Sequence, residues 1–267
     1  MDIERFLKRI GITSLPDSPH SRLREIHRAM TQSVPFENLA ILEGRQIDLA
    51  PTALFLKVVE QGRGGYCFEL NALLAEVCES LGYKVERLLG RVWSSGAPSP
   101  PLTHMALRVM VDHQYYLCDA GFGGGTLRDP LLWNFHAVAN QTPDSYCLEE
   151  ADNQEVMLSR LSGSTWKHLY SVLPCPVRPQ DFIPANYFTS THPDSFFTQA
   201  PVAALTTAEG RITLRGRLFR RVGATGEYER ELASFDEFIN VLCGDFGLTG
   251  LNVPLLKRRL SGLFGET

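Results

Sequence analysis

Nine consecutive residues, Arg63-Gly64-Gly65-Tyr66-Cys67-Phe68-Glu69-Leu70-Asn71, constrain this chain more than any other stretch. Two glycines lead towards a cysteine, and apolar side chains follow at helical spacing through Leu70, Leu73, Leu74, Val77 and Leu81. The pattern predicts a helix that opens at Cys67 and closes near Gly82, where a helix C-terminal glycine belongs. Gly64 and Gly65 are expected to supply backbone conformations closed to other residues, for a sharp turn into the helix. A helix start leaves N–H groups unpaired and carries about half a positive charge, which favours thiolate over thiol. Cys67 is therefore a candidate nucleophile. The competing reading is a small buried hydrophobe, the usual fate of a free cysteine.

A nucleophilic thiol needs a base, so the surrounding pattern matters. Upstream, Ile3, Phe6, Leu7 and Ile10 predict one short amphipathic helix. Leu23, Ile26, His27 and Met30 predict a second, ended by the Val34-Pro35 step because the residue before proline avoids helical geometry. Residues 34–39 then read as a loop with large apolar side chains, and Pro51 opens another helix through Leu54, Phe55, Val58 and Val59.

From Lys84 the apolar period becomes two. Residues 85–92 predict a strand, and residues 94–101, rich in Ser, Pro and Gly, an exposed mobile loop. Residues 104–111 and 114–119, joined by Asp112-His113, predict a hairpin. A two-residue turn sets Val111 opposite Gln114 and Ala106 opposite Asp119, leaving His104 and Asp119 as diagonal neighbours on one face, with backbones about 7–8 Å apart. A loop longer by one residue would put them on opposite faces. A cysteine, a histidine and a carboxylate so disposed supply nucleophile, base and orienting group.

Several classes of function are disfavoured. With 44% hydrophobic and 21% charged residues and a net charge of -4, the chain reads as an ordinary soluble protein, not a general nucleic-acid binder. The N-terminal residues lack the pattern of a signal peptide, and no apolar run reaches membrane-spanning length, so a cytoplasmic location is expected. The six cysteines are scattered and are expected to be reduced. No Cys-x-x-Cys or His-Glu-x-x-His spacing supports a metal, and no phosphate-binding glycine loop occurs.

The blocks Val34-Pro35-Phe36-Glu37-Asn38-Leu39, the nine residues around Cys67, His104 with its strand, and Asp119-Ala120-Gly121-Phe122-Gly123 resemble those of the arylamine N-acetyltransferases. The likeness spans about residues 30–130. One departure is Ala120, where many bacterial relatives carry valine. The resemblance implies an α+β fold in three parts: a helical domain (1–82), a β-barrel-like domain (83–190) and an α/β lid (191–267), around a papain- or transglutaminase-like core. It implies acetyl-CoA as donor, no metal, and ping-pong transfer through an acetyl-cysteine to arylamines or hydrazines. Cys67 would be nucleophile, His104 base and Asp119 its orienting carboxylate. A cysteine hydrolase or transglutaminase-type enzyme using the same triad is the alternative, and a non-catalytic binding protein a third.

Around this core, Phe36, Phe122 and Tyr66 are candidate substrate contacts, and Gly123, Gly124 and Gly125 candidate contacts to CoA. Arg63 and Glu37 are expected to form a partly buried bidentate pair that ties down residues 36–38. Further strands are expected at 133–139, 145–150, 156–161 and 166–172. Residues 174–201 read as an extended crossing with aromatics. Arg211, Arg215, Arg217, Arg220 and Arg221 read as a solvated hairpin face. Ser234 with Glu237 predicts a capped helix, and a last helix is expected over residues 255–263.

Overall fold

The structure, a computed structural model, describes residues 1–94, 97–98, 101–223 and 226–265. Half of the expected mobile loop at 94–101 (residues 95, 96, 99 and 100) lies outside the described residues, and Ala97–Pro98 within it pairs with Trp93 and Ser94.

The first helices end where local chemistry ends them. Ile3–Arg9 begins on Asp2, whose carboxylate accepts from the Arg5 N–H at 3.1 Å. Pro19–Ser33 begins on Ser18 with proline at its first position, and Val34, ahead of Pro35, takes extended geometry. Pro51–Phe55 runs into a π-helical turn, Leu56–Glu60, which presents Lys57 to Glu69 at 2.6 Å. Cys67–Ser80 is the central helix. It closes on Gly82 at φ +87°, with the Gly82 and Tyr83 amides donating to Glu79 and Cys78 carbonyls.

The larger sheet is antiparallel and curls into a nearly closed barrel. Across it lie Leu131–Leu132, Gln114–Cys118, His104–Val111, Lys84–Ser94, Thr165–Val172, Val156–Ser162, Asp144–Glu150 and Ala139–Gln141. Asp112 and His113, both left-handed, form the two-residue turn, and Val111 pairs with Gln114 as expected. Odd-numbered residues Met105, Leu107 and Val109 pack with the central helix, whereas Ala106 joins Leu88, Leu117 and Tyr170 in a separate core. The strand expected at 133–139 does not form. Pairing covers 131–132 and 139–141, and between them His136 takes φ +62° while Phe135 bridges to Leu148 from a loop.

A second antiparallel sheet orders Phe36–Glu37, Val202–Thr206, Gly210–Arg215, Leu218–Gly223 and Gly226–Glu231. Helices Phe235–Gly244 and Val253–Phe264 bury Phe238, Leu242, Leu256 and Leu260 in its core. Residues 34–39 are thus not simply a loop. Phe36 and Glu37 pair with Ala204 and Ala203, and a short helix, Leu39–Leu42, follows. The extended crossing expected at 174–201 is instead largely helical, as Phe182–Thr191 and Phe196–Gln199. Pro184 is tolerated because it falls in the first turn, where its missing N–H has no partner to lose. Among the described residues no helix is long and apolar enough to cross a membrane.

Candidate active site

Cys67 is the first residue of the central helix, and only 4% of its surface is exposed. Its entry is held from two sides. The Glu69 carboxylate accepts from the Tyr66 N–H at 3.2 Å and is itself paired with Lys57. Gly64 is needed for space, not for an unusual dihedral: a Cβ there would fall 2.1 Å from the Pro35 carbonyl oxygen. The thiol points at the end of the His104 strand and donates to the Thr103 carbonyl at 3.6 Å. The expectation of a helix-stabilised thiolate needs correction. Burial pushes the Cys67 thiol up and the Asp119 charge adds to it, outweighing the hydrogen bonds from the Met105 and Phe68 backbone.

His104 and Asp119 meet as the hairpin register requires. Nε2 of His104 lies 2.8 Å from Oδ2 of Asp119, and both residues are buried. Burial works to raise the Asp119 carboxyl, but His104 together with hydrogen bonds from Asn71 and the Gly121 N–H holds it below its ordinary value. An ionised Asp119 accepts, so Nε2 carries the hydrogen and Nδ1 keeps the free lone pair. The Asp119 turn also comes close to the cysteine: a Cβ on Gly121 would lie 2.8 Å from the Cys67 Cα.

Sequence reasoning assigned no separate role to three residues that complete this arrangement. Asn71, one helical turn beyond Cys67, donates to the Met105 carbonyl at 2.6 Å and to Asp119 Oδ1 at 2.8 Å, and accepts from the Ala120 N–H at 2.9 Å. Its spacing of four from Cys67 was the available signal. Tyr170, fully buried, lays its ring 4.4 Å from the imidazole, and Phe122 meets the same imidazole edge-on at 5.3 Å. His27 accepts from the Asp119 N–H at 3.0 Å. Neither His27 nor Tyr170 stands near the motif blocks, and strand pairing or helix packing alone brings them in.

The remaining candidates divide. Phe122 is partly exposed beside His104, and Phe36, mostly buried, packs on Gly123. Tyr66 does not line an open surface. It is fully buried against Phe68 and Phe197 with its hydroxyl bonded to Asn186, so the substrate contact expected of it is corrected to a core role. Gly124 gives its carbonyl to Arg160 at 3.2 Å, Gly125 lies under Phe122, and Gly123 takes φ +84°.

Arg63 is fully buried, and its bidentate partner is not Glu37. Nη1 donates to both Glu43 oxygens, at 3.1 and 3.2 Å, and to the Gly250 carbonyl. Glu37 stands 3.4 Å from Nε without a hydrogen bond, and its other oxygen accepts from the Leu39 N–H. On the C-terminal hairpin Arg211 pairs with Asp144, Arg220 with Glu227, and Arg221 with Asp245.

A family model of N-acetyltransferases matches residues 21–253. Over 256 residues the chain is 36% identical to an arylamine N-acetyltransferase of Mycolicibacterium smegmatis, covering 93% of this chain and 92% of that protein. A Salmonella typhimurium arylamine N-acetyltransferase / N-hydroxyarylamine O-acetyltransferase is 36% identical over 176 residues, 66% of this chain and 62% of its own length. Among solved structures, that of Mycobacterium marinum arylamine N-acetyltransferase in complex with CoA matches with a TM-score of 0.92 at 32% identity, over 98% of this chain and 99% of that one.

Proposed function

Because the chain belongs to the N-acetyltransferase family, we propose that it moves an acetyl group from acetyl-CoA to the nitrogen of an arylamine or hydrazine, through an acetyl thioester on Cys67. The observation that carries this reading is the 2.8 Å His104–Asp119 bond beside a buried cysteine at a helix tip.

The geometry suggests how a raised thiol is made to react. Burial first, and then the second negative charge that a lone thiolate would place near Asp119, favour the proton on sulfur. Moving that proton to Nδ1 of His104 creates imidazolium and thiolate together, so the net charge of the site does not change. The sulfur attacks the acetyl carbonyl of acetyl-CoA, and CoA departs as a thiol with the proton from His104. One thioester replaces another. A neutral amine then attacks the acetyl-cysteine, His104 accepts its proton, and the Cys67 sulfur leaves.

We read Phe122, edge-on to His104, and Phe36, packed on Gly123, as contacts of an aromatic acceptor, and Gly123, Gly124 and Gly125 as contacts of CoA. We read residues 1–82 as the carrier of the nucleophile, 83–190 as that of base and carboxylate, and 191–267 as the lid, in a papain-like layout. The same chemistry extends to the oxygen of N-hydroxyarylamines.

Incubation with acetyl-CoA and no acceptor should leave one acetyl group on the Cys67 peptide by mass spectrometry, and a later arylamine should remove it. An unmodified Cys67 in folded protein would refute the proposal.

A further inference from the structure

We propose that His27, which the scheme above does not use, is the positioning residue that holds the main chain of Asp119 so that its carboxylate meets His104. The inference rests on the proposed Cys67 chemistry. It begins where the hairpin ends. Pairing between the two strands stops at Leu107 and Cys118, so the amide of Asp119 is the first beyond the ladder. That amide donates to Nε2 of His27 at 3.0 Å.

His27 lies on the apolar face of Pro19–Ser33 with Leu23, Ile26 and Met30, and none of its surface is exposed. Its Nδ1 lies 3.2 Å from the Arg128 carbonyl. An N–H facing Nε2 and a carbonyl facing Nδ1 admit only a neutral ring with its hydrogen on Nδ1. The segment that supplies the Arg128 carbonyl is tied to the same helix, since Arg28 holds Asp129 through both carboxylate oxygens, at 2.8 and 2.5 Å, and Arg24 reaches the same carboxylate at 3.4 Å.

Asp119 is then held at both carboxylate oxygens and at its amide. Oδ1 accepts from Asn71 and from the Gly121 N–H, Oδ2 faces His104, and the amide is taken by His27. Without an acceptor at Nε2, a buried N–H is left beside its own carboxylate and draws an oxygen towards itself, away from His104. A displacement of the order of an ångström at a catalytic dyad costs about a hundredfold in rate.

The test separates the acceptor from the bulk of the side chain. Glutamine carries an amide oxygen at roughly the Nε2 position, methionine has similar length without it, and asparagine is too short to reach. Single-turnover CoA release from acetyl-CoA and the thermal midpoint are measured for the full chain and for His27→Gln, His27→Asn and His27→Met. The inference expects His27→Gln within about threefold of the unaltered chain, and the other two slower by about tenfold to a hundredfold at midpoints close to that of His27→Gln. If His27→Asn fails to fold, His27→Met carries the comparison. Equal rates for His27→Gln and His27→Met, or rates that follow the thermal midpoints, overturn it. Absence of acetyl on Cys67 in the unaltered chain would instead overturn the reaction itself.

Discussion

Replacing Arg63 by lysine tests the buried charges behind the Cys67 helix. The guanidinium spans Glu43, Glu37 and the Gly250 carbonyl from a fully buried position. One ammonium on a flexible stem retains the charge but cannot reach all three. Removing a partner outright from a buried pair costs about 3–5 kcal/mol. Lysine should forfeit roughly half to two-thirds of that, about 2–3 kcal/mol. A chain of 267 residues has an unfolding entropy of about 0.6 kcal/mol/K at the midpoint. Arg63→Lys should therefore lower the thermal midpoint by about 4–5 °C, while single-turnover acylation per folded molecule stays close to that of the unaltered chain. The partners are distinguishable as well. Glu43 accepts two hydrogen bonds from Nη1 and one from the Asn252 N–H, whereas Glu37 faces Nε without one. In double-mutant cycles with Arg63, Glu43→Gln should show the larger coupling. A midpoint within about 1 °C of the unaltered chain, or a loss confined to turnover, would refute the reasoning, as would a larger coupling to Glu37.

Other predictions follow from the site. His104→Gln should slow acylation by about 10²–10⁴-fold and move alkylation of Cys67 by iodoacetamide to more alkaline pH, since burial pushes the uncompensated thiol up; an unchanged pH profile would contradict the proton transfer to His104. Asn71→Ala removes three buried hydrogen bonds and should cost about 2–4 kcal/mol by urea unfolding, with slower acylation; stability within about 0.5 kcal/mol would count against the role given to it. Gly121→Ala places a Cβ 2.8 Å from the Cys67 Cα and should destabilise by about 1–3 kcal/mol with loss of acylation; full activity would show that the two segments are not so close. Glu37 is held below its ordinary value because Lys57 and Arg63 outweigh the opposing effect of burial. Its contribution to stability is present above the unfolded carboxylate pKa and is lost as pH falls through the lowered folded value; Glu37→Gln should flatten that acid limb in unfolding curves, and an unaltered limb would exclude it.

How far the site was legible depends on the reach of each interaction. The Cys67 helix, its closure on Gly82 and the Asp112-His113 turn are local, since glycine conformations, helical period and a two-residue link act over a few residues. Register then carried His104 to Asp119, because a hairpin of known turn length leaves no freedom in which side chains share a face. Where apolar patterning stood alone it held for the strands at 145–150, 156–161 and 166–172 and misled elsewhere. Trp133 and Phe135 alternate as in a strand yet sit in a loop, and residues 182–191, with Pro184 among them, form a helix.

The amino-acid order alone therefore determined the helix that opens at Cys67, the hairpin and the pairing of its histidine with its carboxylate, each written in contiguous residues. Tertiary structure decided what surrounds them: Glu43 rather than Glu37 as the carboxylate hydrogen-bonded to Arg63, Tyr170 tilted against His104, and His27 at the Asp119 amide. Those contacts join residues far apart in the chain, and only the packing of helices against the barrel chooses which buried polar groups meet. The same packing works against the thiolate expected of Cys67, because burial and then a neighbouring carboxylate push the thiol up.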